Sequence, residues 1–248
     1  KLIYVLLLFV LLTINSSLIQ PIQSVNMIDL YGDSILIVDS FDQCNILIDT
    51  GDSDDYDSVE NFIRYKNVKR LDYLILTHNH DDHMGESQDI ISLLDVRHII
   101  DSTNGTEYDE LICGKLKLQF FEFSNTYNEV NNSSLVFTLQ ISDRLYLFTG
   151  DMEQEKEEEF IELYDVDVDY LKSGHHGSIT SSSELFLDDI MAESVLISCY
   201  RNNLHGHPHD VVIERYDNRN MEIFRTDLFG TIEIRYVFGK EYKKFNKP

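Results

Sequence analysis

The stretch His-Asn-His-Asp-Asp-His at residues 78–83 directly follows the apolar run Leu71–Thr77, which has the character of a buried β-strand. Three imidazoles and a carboxylate at the end of such a strand are costly unless they bind something, and both groups are standard ligands of zinc and similar ions. Alternate residues of an extended segment point to one side, so His78 and His80 can share one ion. Asp82 and His83 are adjacent and diverge, which suits a second ion. The stretch therefore predicts a loop that serves two neighbouring metal ions.

Three further polar motifs follow strand-like runs later in the chain. They are Asp151 after Leu147–Gly150, the pair His175 and His176 after Tyr170–Lys172, and the segment His205–His209 after a run that ends at Ser198. Each motif alone is compatible with a surface loop. Ligand sites, however, form where several strands end on one face of a sheet. Together the four motifs predict one shared site rather than chance histidines in polar turns.

The remaining pattern predicts strands with interspersed helices. The expected strands are Val25–Ile28, Ser34–Val38, Asn45–Ile48, Leu71–Thr77, Val96–Ile100, Lys115–Phe123, Leu135–Ile141, Arg144–Phe148, Tyr170–Lys172, Ser194–Ser198, Met221–Arg225 and Thr231–Phe238. The expected helices are Asp57–Tyr65, Ser87–Leu94, Glu153–Tyr164 with its charges outward, and one that begins at Ser183. Such an order over this length predicts two sheets packed together and covered by helices.

Composition limits the possible functions. The chain has 248 residues, of which 43% are hydrophobic, so a packed core is expected in one domain, residues 25–248. The formal net charge of −24 disfavours an extended nucleic-acid surface or broad adhesion to anionic membranes. A phosphate substrate stays compatible, because bound divalent ions invert the local field. The acidic runs at residues 49–60 and 151–169 are expected to be solvated, apart from Asp49 and Asp151.

The first 24 residues are set apart from this domain. A charged start and an apolar run have the form of a signal peptide or a membrane anchor, which predicts a secreted or extracytoplasmic location with membrane contact only through this segment. The three cysteines, Cys44, Cys113 and Cys199, are too few for a disulfide framework and are expected as buried small side chains. The sequence is also compatible with one disulfide and one free thiol.

The ordered motifs resemble the metallo-β-lactamase superfamily, and most closely the hydrolase domain at the C-terminus of ComEC DNA-uptake proteins. Six motifs carry the resemblance besides His78–His83: Asp29–Ser34, Ile48–Gly51, Thr149–Asp151, His175–Ser178, Asn203–Pro208 and Arg225–Thr231. The resemblance implies an α/β fold, the αββα four-layer sandwich. The first motif is one residue short of the family's D-V-G-Q-G-D-S. The superfamily's usual histidine before the bridging aspartate is not evident, and Asn131–Ser134 occupies its region.

The same resemblance implies roles for individual residues. His78 and His80 would bind one metal ion, Asp82 and His83 the other, and Asp151 would bridge them. One of His175 and His176 would complete the second site, and the pattern leaves open which one. Asp82, His176 and His207 are the expected catalytic residues, with His207 stabilising charge on the substrate. Asp49 would orient a ligand histidine, whereas Lys172, Ser178 and Asn203 suit substrate contact or structure equally well.

The expected function is hydrolysis of a phosphodiester by a dinuclear metal site, with zinc as the expected metal and manganese as the alternative. The expected substrate is a small phosphodiester or a single-stranded nucleic acid. A first alternative is a hydrolase of the same fold that acts on a lactam, lactone or thioester. A second alternative is a metal-binding module with impaired catalysis, because the histidine noted above is missing.

Overall fold

The computed structural model describes residues 23–40, 44–124 and 127–246. Nearly all of the predicted N-terminal segment, residues 1–22, lies outside the described residues. Its proposed role and the domain boundary at residue 25 therefore stay predictions. Across the described ranges, no helix has the length and apolar character needed to cross a bilayer.

The first sheet contains the strands that deliver residues 78–83. Its described strands are β1 (Gln23–Met27), β2 (Ile35–Asp39), β3 (Cys44–Ile48), β4 (Arg70–Ile75), β5 (Asp95–Ile100), β13 (Thr231–Val237) and β14 (Lys240–Asn246). They pair in the order β14-β13-β1-β2-β3-β4-β5. β3, β4 and β5 are parallel, so the loops after β3 and β4 leave the sheet at the same edge.

The second sheet delivers the later motifs. Its described strands are β6 (Glu110–Cys113), β7 (Leu116–Phe120), β8 (Phe137–Ile141), β9 (Arg144–Phe148), β10 (Tyr170–Lys172), β11 (Ser194–Ile197) and β12 (Glu222–Arg225). Their order is β12-β11-β10-β9-β8-β7-β6. β9, β10, β11 and β12 are parallel, which brings the segments after β9, β10 and β11 to one edge.

Helices cover the outer faces of both sheets. They are α1 (Tyr56–Tyr65), α2 (Asp81–Met84), α3 (Ser87–Leu93), α4 (Gln154–Leu163), α5 (Glu184–Ile190), α6 (Asp210–Asp217) and α7 (Thr226–Phe229). One apolar cluster lies between the sheets, a second joins α1 and α3 to the first sheet, and a third joins α4, α5 and α6 to the second sheet. Two packed sheets between helical layers confirm the predicted αββα sandwich.

The charges of α4 do not all point outward, so that prediction was wrong. Lys156, Glu157 and Glu159 are buried. The Glu157 carboxylate accepts a hydrogen bond from the backbone N–H of Ser183 at 2.8 Å, and Glu159 accepts one from the N–H of Ser124 at 2.8 Å. These hydrogen bonds to loop backbone compensate in part for the desolvation of the two carboxylates.

Two of the cysteines are not the separate small side chains that were expected. Cys44 at the start of β3 and Cys113 at the end of β6 form a disulfide with a Cα–Cα distance of 5.7 Å, whereas Cys199 is free and buried. The bond joins the two sheets. Cys44 begins the strand after which Asp49 follows, so the disulfide lies at the opposite end of β3 from the residues discussed below.

Candidate metal centre

The predicted site residues converge where strands of both sheets end. Asp49 follows β3, residues 78–83 follow β4, Asp151 follows β9, and His175 and His176 follow β10. After His80, which is extended (φ −112°, ψ 150°), the chain turns into α2, so that Asp82 and His83 occupy the first helical turn. The structure thus brings together the residues that the motifs singled out.

Four side chains form the group that we call the Asp82 group: Asp82, His83, Asp151 and His176. One potential ligand atom from each lies within 4.8 Å of the others. His83 Nε2 is 3.2 Å from Asp151 Oδ1, and His176 Nε2 is 3.3 Å from Asp82 Oδ2. Within the described chain, His83 Nε2, His176 Nε2 and Asp151 Oδ1 are buried without a hydrogen-bond partner. Such orphaned atoms facing one another fit a divalent cation.

A second set of imidazoles surrounds the other oxygen of Asp151; we call it the His78 group. His78 Nε2 and His175 Nε2 are each 3.9 Å from Asp151 Oδ2. His80 Nδ1 lies 3.1 Å from His78 Nε2. Two imidazole nitrogens beside one carboxylate oxygen, with a third imidazole next to His78, are ligand types that zinc takes. His175 thus adds an imidazole to a group for which the motif after β4 offers only His78 and His80.

In three of these histidines, Nδ1 contacts an oxygen of a residue outside the two groups. His83 Nδ1 lies 2.8 Å from Asp49 Oδ2, and His175 Nδ1 lies 3.3 Å from Glu153 Oε1. His176 Nδ1 is 3.0 Å from the carbonyl oxygen of Ser198, which can only accept, so this nitrogen donates. A donated Nδ1–H leaves the Nε2 lone pair free to bind a cation, which is how outer partners orient ligand histidines.

The histidine pair adopts an uncommon backbone conformation. His175 (φ 46°, ψ 48°) and His176 (φ 54°, ψ 19°) are both left-handed. Two consecutive non-glycine residues in this region are strained, and such strain persists where the surroundings impose it. In this conformation both imidazoles come within 4 Å of Asp151 Oδ2.

The electrostatics of the site favour added positive charge. Burial lowers the pKa of His78 to about 3, so its imidazole is neutral near pH 7. Burial opposes the ionisation of Asp151, but His83, His176 and Lys172 outweigh it and hold the pKa of Asp151 well below its ordinary value. Burial also disfavours charge on His83, yet Asp151 and Asp49 raise the pKa of its imidazole. Ionised carboxylates that stabilise a protonated imidazole beside them also favour a metal ion in the place of that proton.

Lys172 lies beneath the site and does not face substrate. Its ammonium is buried, forms an ion pair with Asp33, lies 3.8 Å from Asp151 Oδ1 and donates to the carbonyl of Gly150 at 3.2 Å. Asp33 was missed as a site residue, although its motif was noticed. The turn before it needs Gly32, because a Cβ there would lie 2.1 Å from the backbone oxygen of Asp82.

The region of the missing histidine supports Asp151 instead. Ser134 Oγ accepts a hydrogen bond from the N–H of Asp151 at 3.0 Å, and Asn132 Oδ1 accepts one from the N–H of Glu153 at 2.9 Å. Asn131 Nδ2 lies 3.4 Å from His175 Nδ1. This segment therefore positions two groups that face the site.

A pocket opens outward from the Asp82 group. Its walls are Tyr31, Asp82, His176, Cys199, Tyr200, Asn203, His205 and His207. The His207 ring lies 5.4 Å from that of His175 and 6.3 Å from that of His176, so it lies next to the histidine pair. Asn203 is structural, because its amide binds the backbone N–H and oxygen of His207. Tyr31 and Tyr200 were not predicted as site residues, since isolated tyrosines give no signal in one sequence.

Comparisons with known sequences agree with this geometry. Residues 27–111 match the family described as the metallo-beta-lactamase superfamily. The chain is 30% identical over 254 residues to ComE operon protein 3 of Bacillus subtilis (strain 168), covering 86% of this chain and 33% of that protein. It is 30% identical over 185 residues to Competence protein ComA of Neisseria gonorrhoeae, covering 67% of this chain and 26% of that protein. The chain thus spans about a third or less of these relatives.

Solved structures share the fold. Igni18, a metallo hydrolase from Ignicoccus hospitalis, superposes with a TM-score of 0.59 at 11% identity, covering 86% of this chain and 99% of that one. CmlA, a diiron β-hydroxylase from Streptomyces venezuelae, gives a TM-score of 0.56 at 14% identity, covering 86% of this chain and 54% of that one. At these identities the likeness concerns the fold alone.

Proposed function

Because the chain belongs to the metallo-β-lactamase superfamily, as its motifs predicted, we propose that it is a metal-dependent phosphodiesterase with its catalytic centre at Asp151. The predicted enzyme class, a metal-dependent hydrolase of this fold, agrees with that membership. One observation supports the proposal most directly. Both oxygens of a single buried carboxylate, Asp151, face imidazole nitrogens: Oδ1 lies 3.2 Å from His83 Nε2, and Oδ2 lies within 4 Å of Nε2 of His78, His175 and His176.

Each group would hold one divalent ion. His78, His80 and His175 would form the first site, and Asp82, His83 and His176 the second, with Asp151 shared. We assign His176 rather than His175 to the second site, because His176 Nε2 lies 3.3 Å from Asp82 Oδ2. The donors are mostly imidazole, which favours zinc, with manganese as the alternative. When bound, the ions would supply Lewis acidity and activation of water.

The residues of the chain have separate tasks around the ions. The Asp82 side chain is 37% exposed and that of Asp151 is 2% exposed, so Asp82 and His176 meet the pocket while Asp151 stays beneath. His207, across the pocket, is placed to donate a hydrogen bond to a substrate oxygen or to the leaving group. Asp49, Glu153 and the Ser198 carbonyl keep the ligand imidazoles in orientation.

A phosphodiester suits this arrangement better than a lactam, lactone or thioester. Its anionic oxygens are attracted by two cations, and the described walls of the pocket contain no lysine or arginine that would attract them instead. The net charge of −24 opposes long polyanions, so we infer a small phosphodiester or the end of a single strand of nucleic acid. The name of the gonococcal relative, a competence protein, agrees with a nucleic-acid substrate.

We further propose an extracytoplasmic location. The Cys44–Cys113 disulfide is of a kind that persists in oxidising compartments. The apolar N-terminal segment, a proposed signal peptide or anchor, would be the sole contact with a membrane.

The test compares metal-loaded and chelator-treated protein on bis-p-nitrophenyl phosphate, single-stranded DNA and a lactam. Hydrolysis of the phosphodiesters that requires metal and is abolished in Asp151→Ala is the expected result. Lactam hydrolysis alone would favour the first alternative function. Fewer than about one bound ion per chain with no hydrolysis would favour the impaired module. Phosphodiesterase activity that survives in Asp151→Ala would refute the assignment.

A further inference from the structure

Two exposed tyrosines form one wall of the pocket beside the Asp82 group. Tyr31 is 42% exposed and Tyr200 is 46% exposed, and their ring centroids are 5.2 Å apart. Both rings line the pocket that Asp82 and His176 also line. Aromatic surface left open to water next to a polar centre is a feature of ligand sites, in which an apolar wall adjoins a few polar groups.

The backbone on either side of this wall is fixed. The N–H groups of Tyr31 and Gly32 donate to the two carboxylate oxygens of Asp55 at 3.0 and 2.8 Å. Asp55 is therefore buried and structural, contrary to the prediction that its acidic run is solvated. The carbonyl of Tyr200 accepts a hydrogen bond from the Asn203 side chain at 2.9 Å. A ring on a held backbone loses little freedom when a ligand packs against it.

Tyr31 lies in the turn between β1 and β2 of the first sheet. It presents an aromatic side chain against Tyr200, which comes from the other sheet, after β11.

We propose that Tyr31 and Tyr200 bind a nucleobase of the substrate, next to the phosphodiester at the metal centre. The inference rests on the proposed phosphodiesterase function and narrows its substrate to nucleotide-containing esters. A base fits because it is flat and packs on aromatic rings without requiring positive charge, which the described pocket walls lack. Asn203 is occupied by its own loop, which leaves His205 and His207 as polar neighbours. A phosphodiester of a lipid headgroup has no flat group to offer this wall.

The test uses two substrates with the same leaving group: thymidine 5′-phosphate p-nitrophenyl ester, and methyl p-nitrophenyl phosphate, which has no base. Wild-type protein should prefer the thymidine ester. In Tyr31→Ala and Tyr200→Ala, the ratio of the two kcat/KM values should fall about 5- to 150-fold, mainly through KM of the thymidine ester, since this is the range for one stacked base. Tyr31→Phe and Tyr200→Phe should retain the preference, because they keep the ring.

Tyr242→Ala is the matched control, because Tyr242 is an exposed tyrosine on the edge strand β14. It should leave the ratio unchanged. The inference would be overturned if the variants lost activity equally on both substrates, or if the wild-type protein did not prefer the thymidine ester. Metal-dependent hydrolysis of either ester would still support the proposed phosphodiesterase. Failure of metal-loaded wild type to hydrolyse either ester would overturn both.

Discussion

Asp49 and His83 are joined in the buried floor of the site, with Asp49 Oδ2 2.8 Å from His83 Nδ1. Asp49 is itself held, because the backbone N–H and the hydroxyl of Thr77 donate to it at 2.7 and 2.8 Å. The end of β3 thereby fixes a ring that belongs to α2. The link explains why a motif as short as Ile48–Gly51 accompanies a histidine cluster some thirty residues later.

Asp49→Asn should weaken metal binding without unfolding the protein. The amide has nearly the same shape but lacks the charge that supports His83, and loss of such outer partners typically lowers metal affinity about 10- to 100-fold. Titration of metal-free protein with zinc in the presence of a competing chelator measures this affinity. Asp54→Asn, an exposed neighbour in the same loop, should bind like wild type. Equal affinities in the two variants would contradict the role given to Asp49.

His175→Ala and His176→Ala should remove different ions. His175 belongs to the His78 group and His176 to the Asp82 group, so each variant should retain about one ion where wild type holds two. Combination with His78→Ala separates the groups. The pair His78→Ala with His175→Ala should still retain one ion, whereas His78→Ala with His176→Ala should retain almost none. Mass spectrometry after dialysis measures the metal content of each variant. If His78→Ala with His175→Ala retained almost no ion and His78→Ala with His176→Ala retained one, the two histidines would have to exchange groups.

The candidate metal centre could be predicted from the sequence because its potential ligands lie in short motifs, each directly after a strand. Residues 78–83, Asp151 and the pair after β10 all follow buried runs, and parallel strands carry such loops to one edge. The different positions of the His175 and His176 rings could not be read in this way. They depend on two left-handed backbone conformations and on the distant partners Glu153 and Ser198.

The remaining errors concern charged side chains with distant partners. Glu157 looks like a solvated helix residue until Ser183, on another loop, is placed beside it. Strand β14 was missed because charged residues interrupt its apolar positions, although Phe245 packs against the core. The pattern of apolar residues indicates burial only when a whole face of a helix or strand is apolar. A single buried charged side chain therefore cannot be predicted from it.

Lys172→Met should destabilise the metal-free protein strongly. The substitution leaves Asp33 charged and buried without the ammonium that it shares with Asp151, and breaking such a pair from one side costs about 3–5 kcal/mol. Urea unfolding measures the loss, and adding Asp33→Asn should recover part of it. Lys117→Met, which breaks an exposed pair with Glu110, should cost no more than about 1 kcal/mol. Similar losses in the two single variants would contradict a buried pair at Lys172.

Removal of the Cys44–Cys113 disulfide should lower the free energy of unfolding by about 2–5 kcal/mol. The bond closes a loop with a sequence separation of 69 residues and joins the two sheets, so its loss enlarges the unfolded ensemble. Cys44→Ser with Cys113→Ser, compared with wild type in urea, measures the effect. Because the bond lies at the far end of β3, metal content should stay at the wild-type level. Equal unfolding curves for wild type with and without reductant would indicate that the thiols are not paired.

Lys156 should make stability depend on pH in the alkaline range. Its ammonium donates to the carbonyls of Asn132 and Ser134 at 3.0 and 2.8 Å, and burial lowers its pKa from 10.5 to about 7. Between these values the unfolded chain binds more protons than the folded one, so stability rises as the pH increases from about 7 to about 10.5. Lys156→Met should lose this rise, and Lys117→Met should keep it. Urea unfolding of the three proteins at pH 7, 8.5 and 10 tests this, and parallel pH profiles for wild type and Lys156→Met would refute it.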